Sequence, residues 1–469
     1  MNLNFLKFFN YINFFVSLYL IIFSFLLFYT FYRSELVYEG NQLSYYYKYY
    51  LISACGIFFW LIVLFLKKKA KKQIILFFTS IIFILYFYEA VQFFSPVIYK
   101  LDFIKSIQKQ KKTESRSNEK SKYDVIQEIK NTTDINVVPS VFPKAFIKKK
   151  WINKETDIFP LGGVSNVTTV FCKEGDEFSI YKSDRFGFNN PDSAWDFKEI
   201  YWFLIGDSFT QGSCVKQEEN FASQIRLITK LSSVSVGMSG NGPLIEFASL
   251  KEYGLGKKPK IVLWFYFERN DLEDLKIEKT SSIFMKYLDK NFTQNLYTKQ
   301  NEIDKNLRTY IKLAEKNLKN EKNITYKDEE EFLAFKKIIR LQIVREKMSL
   351  DRGLDFGINP LFREVMLKAK NIVNDWNGKL FFIYLPDKER YANKNNKDDR
   401  YLKKSQVINL IRNLDIPIID IHKDFFMKQT DPMSFYAHRI YGHYSPEGYS
   451  EISKVIIKKI IDITGDKVD

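Results

Sequence analysis

Three long apolar runs open the chain, and short apolar runs alternating with amphipathic ones fill its second half. Residues 11–32 contain no charged side chain, residues 49–66 contain none, and residues 74–94 contain only Glu89. A helix needs about 20 apolar residues to cross the hydrocarbon core of a bilayer, so each run predicts a membrane span. Residues 1–98 therefore read as a membrane domain. A cleaved signal peptide does not fit, because the first run is too long, no A-x-A-like site follows it, and two further runs come next. Three buried helices of a soluble core fit no better, since such runs rarely cluster at one end of a chain.

From about residue 151 the pattern changes. "EIYWFLIGD", "VSVGM", "PKIVLWFYF", "KLFFIYLP" and "IPIIDI" read as strands. Between and after them, "EENFASQIRLITKL", "PLIEFASLKEYGL", Phe362 to Trp376, Lys403 to Leu414 and Pro446 to Ile463 carry helical periodicity. Nearly continuous apolar strands separated by helices predict a parallel sheet covered on both faces, an α/β domain over 151–469. A charged helical stretch interrupts it as an insertion over about 280–350; it reads as solvated helix or as a lid beside the third strand. Residues 99–150 are polar and basic, typified by "IQKQKKTESRSNEKSKYD", and predict a linker.

The formal charge of +16 raises the question of a nucleic-acid partner. The lysines concentrate beside the apolar runs and in the linker, with no aromatic-basic interleaving, so anionic headgroups are the expected partner and no nucleic acid. "KKKAKKQ" puts five lysines within seven residues between runs two and three, whereas the loop between runs one and two balances its charges. The positive-inside rule then places the lysine loop in the cytoplasm and everything after the third span outside, an integral membrane protein with an extracytoplasmic globular domain. The three cysteines form no C-x-x-C, and neither a metal nor a cofactor is expected.

Ligands of open parallel sheets bind beyond the carboxyl ends of the strands. Four polar clusters sit there: "GDSF" (206–209), "GMSGNGP" (237–243), "FERND" (267–271) and "YGHYSPEGY" (441–449). Acyl transfer needs a nucleophile, a base within hydrogen-bond reach and donors aimed at the developing oxyanion. Ser208 can be the nucleophile and His443 the base; the N–H of Ser208, the N–H of Gly240 and the Asn270 amide can be the oxyanion donors. Asp207 reads as a brace for the turn.

This order of residues resembles the SGNH (GDSL-type) hydrolase superfamily over roughly 198–275 and 378–465. "GDSFTQG", "SGNGP", "ERND" and "GHYSPEGY" carry the resemblance, with Glu268 where the family usually has glycine. The rival G-x-S-x-G signature is missing. The resemblance implies a flavodoxin-like three-layer α/β/α SGNH domain and ester chemistry. The family's acid three residues before the histidine is absent, since Ile440 stands there. Asp420 and Asp431 are the candidates to orient the imidazole, or a backbone carbonyl does so. Outside the cytoplasm disulfides persist, and the available pair in the globular part is Cys172 with Cys214, expected to bond.

A tethered esterase suits a substrate made at the membrane. The expected function is a serine esterase, O-acyltransferase or deacetylase acting on surface polysaccharide. Its expected partners are the bilayer, an acylated glycan or lipid-linked polymer, and a membrane acyl-donor protein. The alternatives are a lipid or thioester hydrolase and a catalytically silent glycan-binding or assembly protein. Orientation is directly testable. A reporter active only outside the cytoplasm should work when fused after Lys150 and stay silent when fused within Lys67 to Gln73; the reverse pattern refutes the outward placement.

Overall fold

Strands rich in Val, Ile, Leu and aromatic residues on both faces can be buried only between two helical layers, and five of them are. In the computed structural model of the chain, β4 (Trp202–Ile205), β5 (Ser233–Ser235), β6 (Ile261–Phe267), β7 (Lys379–Leu385) and β8 (Ile418–Asp420) form one sheet, in the order β5-β4-β6-β7-β8. Every pairing in it is parallel. These are the five strands that the apolar runs predict, and their order is the flavodoxin-like one, with its switch point at β4. The structure describes residues 11–37, 43–111, 120–147 apart from 134, 158–321 apart from 176, 339, 341, 344, 345, 358–392, 401 and 403–465, with backbone alone at 37, 44, 92–111 and 313–321.

Alternation along the strands divides the core in two. Phe203, Ile205, Val262, Trp264, Tyr266, Phe382 and Tyr384 face one layer, which includes the helices Pro243–Ser249 and Pro360–Asp375. Trp202, Leu204, Leu263, Phe265, Phe381 and Ile383 face the other, made by the helices Phe221–Thr229 and Pro446–Thr464. The result is a three-layer α/β/α domain.

A second, smaller sheet precedes it. β1 (Val137–Pro139) pairs parallel with β2 (Thr168–Val170), and β2 pairs antiparallel with β3 (Ile180–Lys182). The linker reading is corrected here. Within 99–150, residues 112–119 and 148–150 lie outside the described residues, but 120–147 is folded. It starts with the helix Lys122–Thr132, whose N-cap Ser121 exchanges a capping box with Asp124. Ile126 packs with Val137 and Val170, and Val138, Val141 and Phe146 enter the main core. A strand of three residues and two short helices need few apolar side chains when the core they join is supplied by others, so lysine-rich composition masked them.

The helices Tyr11–Phe31, Leu43–Leu64 and Lys68–Lys111 correspond to the three apolar runs. Each is long and apolar enough to cross a membrane, over Tyr11–Leu36, Tyr45–Leu64 and Lys68–Val91. Tyr19 stacks on Trp60 with centroids 4.2 Å apart and bonds Thr79 at 3.0 Å, joining all three. Residues 1–119 and 323–356 form one unit, and residues 120–322 and 357–469 another. The insertion is thereby divided. Its helix Gln300–Glu321 buries Ile303, Leu307 and Ile311 in the α/β core. Further on, Val344 donates its N–H to the buried Glu89 of the third span at 2.9 Å, within the membrane unit. Apart from 339, 341, 344 and 345, residues 322–357 lie outside the described residues.

Candidate active site

The sheet order brings the first three polar clusters together. β4 ends at Ile205, and Gly206-Asp207 turns the chain into the short helix Ser208–Gln211, with Asp207 Oδ1 accepting the Phe209 N–H at 2.9 Å. β5 and β6 flank β4, so the loops carrying Gly240 and Asn270 stand on either side of Ser208. Gln211 ties two of these loops, its Oε1 accepting the Ser239 N–H at 2.7 Å. Gly240 has φ +77°, a left-handed conformation that favours glycine. Among the described residues no backbone acceptor engages the N–H of Ser208 or of Gly240.

His443 arrives from the far end of the chain. The turn that carries it is closed by a bridge between Tyr436 and Tyr444, and Ala437 donates to the His443 carbonyl at 3.0 Å. A side chain at Gly448 would begin 2.3 Å from the Phe435 carbonyl oxygen, so only glycine allows the helix Pro446–Thr464 to start so close. The Ser208 hydroxyl donates to His443 Nε2 at 2.9 Å. Phe209 backs the imidazole, with ring centroids 4.9 Å apart.

The acid on the other side of the imidazole is one that sequence reasoning missed. His443 Nδ1 donates to Glu174 Oε1 at 2.7 Å, and the His443 backbone N–H donates to Oε2 at 3.2 Å. Both candidates from the sequence are engaged elsewhere. Asp420 ends the edge strand β8, with β6 and β7 between it and β4, and it pairs with Lys404 at 2.6 Å. Asp431 pairs with Arg439 at 2.5 Å. Glu174 sits in the connection from β2 to β3, where local motif spacing gives no signal. The usable signal was Cys172, two residues before it.

Cys172 is bonded to Cys214, with Cα atoms 5.2 Å apart, as the cysteine count predicts. The bridge fastens the Glu174 segment to the loop six residues beyond Ser208, and Ser179 Oγ adds a bond to the Val215 carbonyl at 2.7 Å. Glu174, Cys214 and His443 also lie within 4.8 Å of one another, a grouping that could suit a metal. With its sulfur in the bridge, Cys214 offers no thiolate, which leaves two ligands.

Electrostatics separate the acids. Burial pushes the Glu174 carboxyl up, but the hydrogen bonds and charge of His443 outweigh that and hold it below the ordinary value. Behind Ser208 burial wins: Asp207 is pushed up to about 6 and Glu278 to about 8, and Glu246 and Asp271 stand well above their ordinary values. Asn270 Nδ2 donates to Asp274 Oδ2 at 2.8 Å, leaving one N–H of that nitrogen for another acceptor. Of the other histidines, His438 lies against Gly175, the residue after Glu174, where a Cβ would stand 2.5 Å from the imidazole Nε2. His422 bonds Tyr391 at 2.7 Å and is pushed down to about 4 by burial.

No family model and no curated protein matches the sequence. Among solved structures, the chain is similar to an acetyl xylan esterase at 12% identity and TM-score 0.33, over 56% of this chain and 100% of that one. It is similar to a putative lipolytic protein of the G-D-S-L family from Desulfitobacterium hafniense DCB-2 at 11% identity and TM-score 0.30, over 55% and 99%. A lipase/acylhydrolase from Enterococcus faecalis aligns at 12% identity and TM-score 0.32, over 56% and 95%.

Two outcomes follow from the Glu174 geometry. Because His443 depresses the Glu174 carboxyl, the pair stabilises the fold above the ordinary glutamate range and loses that contribution as pH falls through the lowered value. Glu174→Gln should therefore flatten this acid dependence of thermal stability; an unchanged dependence refutes the pairing. Replacing Cys172 and Cys214 by serine should cost roughly 4 kcal/mol by the chain-entropy relation for a loop of this length. Denaturant titration checks it, and an unshifted midpoint counts against the bridge.

Proposed function

We propose that the chain is a membrane-anchored serine esterase or O-acyltransferase. The observation that carries this reading is the pair of bonds on one imidazole, Ser208 Oγ to Nε2 at 2.9 Å and Nδ1 to Glu174 at 2.7 Å. Glu174 fixes the tautomer with the proton on Nδ1, so Nε2 is the acceptor that takes the serine proton. Ser208 Oγ then attacks the ester carbonyl carbon, and the carbonyl oxygen becomes an oxyanion facing the N–H groups of Ser208 and Gly240 and the Asn270 amide. Collapse expels the alkoxide, which takes the proton from His443 Nε2, and leaves an acyl group on Ser208. Water attacking that ester completes hydrolysis; a sugar hydroxyl completes transfer. His443 is the base in either case.

The substrate class follows from placement. Three spans tether the domain, the lysine loop argues for an outward orientation, and a disulfide suits an oxidising compartment. An acyl ester on a surface glycan or lipid-linked polymer, with a membrane acyl donor where the direction is transfer, fits such a tether better than a diffusing metabolite. Glu174 on Nδ1 supports catalysis over a silent binding protein, because it supplies the acid that the local sequence lacks.

A fluorophosphonate probe should label wild-type protein at Ser208 and leave Ser208→Ala unlabelled. Ser208→Ala should abolish ester turnover, and Asn270→Ala should lower it by about 10²–10³-fold, as loss of one oxyanion donor does. The acyl content of cell-surface polymer should change when the gene is deleted. Full turnover in Ser208→Ala would sink the catalytic reading.

A further inference from the structure

Asp274 lies between the two loops that carry Gly240 and Asn270, and the cation on it comes from the segment before the main sheet. Asp274 Oδ2 accepts from Asn270 Nδ2 at 2.8 Å, and Lys144 Nζ binds Oδ1. A Cβ at Gly242 would begin 2.7 Å from Asp274 Cβ. The stem of Lys144 passes over Gly240, where a Cβ would stand 3.3 Å from Lys144 Cδ. One side chain thus touches one oxyanion loop directly and reaches the other through a carboxylate. Asp274 is 4% exposed at its side chain and Lys144 is 30% exposed.

We propose that Lys144 is a positioning residue for the oxyanion hole, keeping Asp274 ionised so that it holds the nitrogen end of the Asn270 amide. An ionised carboxylate accepts and cannot donate, so it selects the NH₂ group, and the second N–H of that nitrogen remains for the oxyanion. A protonated Asp274 can donate to Asn270 Oδ1 instead, which turns the amide over and withdraws the nitrogen. The setting makes the cation necessary. Acids surround Asp274: Asp207 behind the nucleophile, Glu246 of the helix Pro243–Ser249, and Asp271, Glu273 and Glu278 of its own helix all act on it. Burial raises the Asp274 carboxyl, and Lys144 opposes that rise.

This inference rests on the ester-transfer reading, so its test carries a control for that reading. Full-length protein in detergent micelles is assayed for p-nitrophenyl acetate hydrolysis across pH, with fluorophosphonate labelling of Ser208 alongside. Lys144→Met should lower kcat by about 10²-fold on the wild-type plateau, the effect of losing one oxyanion donor. KM should change by less than about threefold, because the donor acts in the transition state. The acid limb of the kcat profile should move to higher pH, since Asp274 without its cation ionises later, and activity should recover as pH rises. Lys144→Arg should restore both the rate and the limb. If Lys144→Met does not accumulate, Lys144→Gln keeps the stem without the charge and carries the same expectation. An unmoved acid limb in a folded variant overturns the proposal whatever happens to kcat, as does a wild-type kcat. Wild-type protein that neither hydrolyses the ester nor takes the probe would overturn the parent reading as well.

Discussion

The bond between Glu174 and His443 is the constraint around which the site is arranged. His443, on the last turn before the last helix, carries a carboxylate on Nδ1, and the residue three positions before it, Ile440, cannot supply one. The acid comes instead from 269 positions away. Holding a loop carboxylate on a ring nitrogen against chain entropy requires that its segment be fixed at both ends. β2 and β3 of the small sheet fix its two ends, and the Cys172 bridge ties the stretch between them to the loop that follows Ser208. Sheet, disulfide and the Ser208–His443–Glu174 arrangement are therefore one design: loosen the first two and the imidazole loses its carboxylate.

The low dielectric that strengthens this bond creates a problem on the opposite side of Ser208. Asp207, Glu246, Asp271, Asp274 and Glu278 are all buried beneath the loops that carry Gly240 and Asn270. So many carboxylates cannot all be charged there, and most of them are pushed upward by burial and by each other. Glu278 still accepts from Gly242 and Leu244, and Asp271 from Phe267, so these side chains brace the backbone of the second and third polar clusters. The ends of the active-site loops are held by acids, and the charge state of those acids becomes part of the geometry.

Much of this was legible in the sequence because strands buried on both faces leave an unmistakable apolar run. β4 to β8 were all readable that way, and with them the positions of Ser208, Gly240 and Asn270 at adjacent strand ends. The disulfide was readable because exclusion left a single pair. Glu174 and Lys144 were not, and for one reason. Both lie on segments before the main sheet, where elements of three or four residues borrow their core from elsewhere and leave no periodicity of their own. A lysine-rich composition makes such a stretch look like a tether even when one of its lysines is paired with a buried carboxylate.

Glu268 shows how a departure from a motif can be accommodated. Where the resemblance leads one to expect glycine after β6, a buried carboxylate accepts from Tyr384, from the Asp387 N–H at 2.7 Å and from two N–H groups of the Arg390 guanidinium. A buried ion pair stabilises only when its remaining lone pairs are also satisfied, and these four donors satisfy them. The gain is positional. The same stretch after β7 holds the turn ahead of the base, Lys388 Nζ donating to the Ile440 carbonyl and Tyr436 Oη to the Pro386 carbonyl. The third cluster is thus joined to the fourth through the end of β7, so the donor loop at Asn270 and the turn at His443 share one rigid support. An acid that looks out of place beside Asn270 acts on the far side of the site, setting the turn from which the imidazole reaches Ser208.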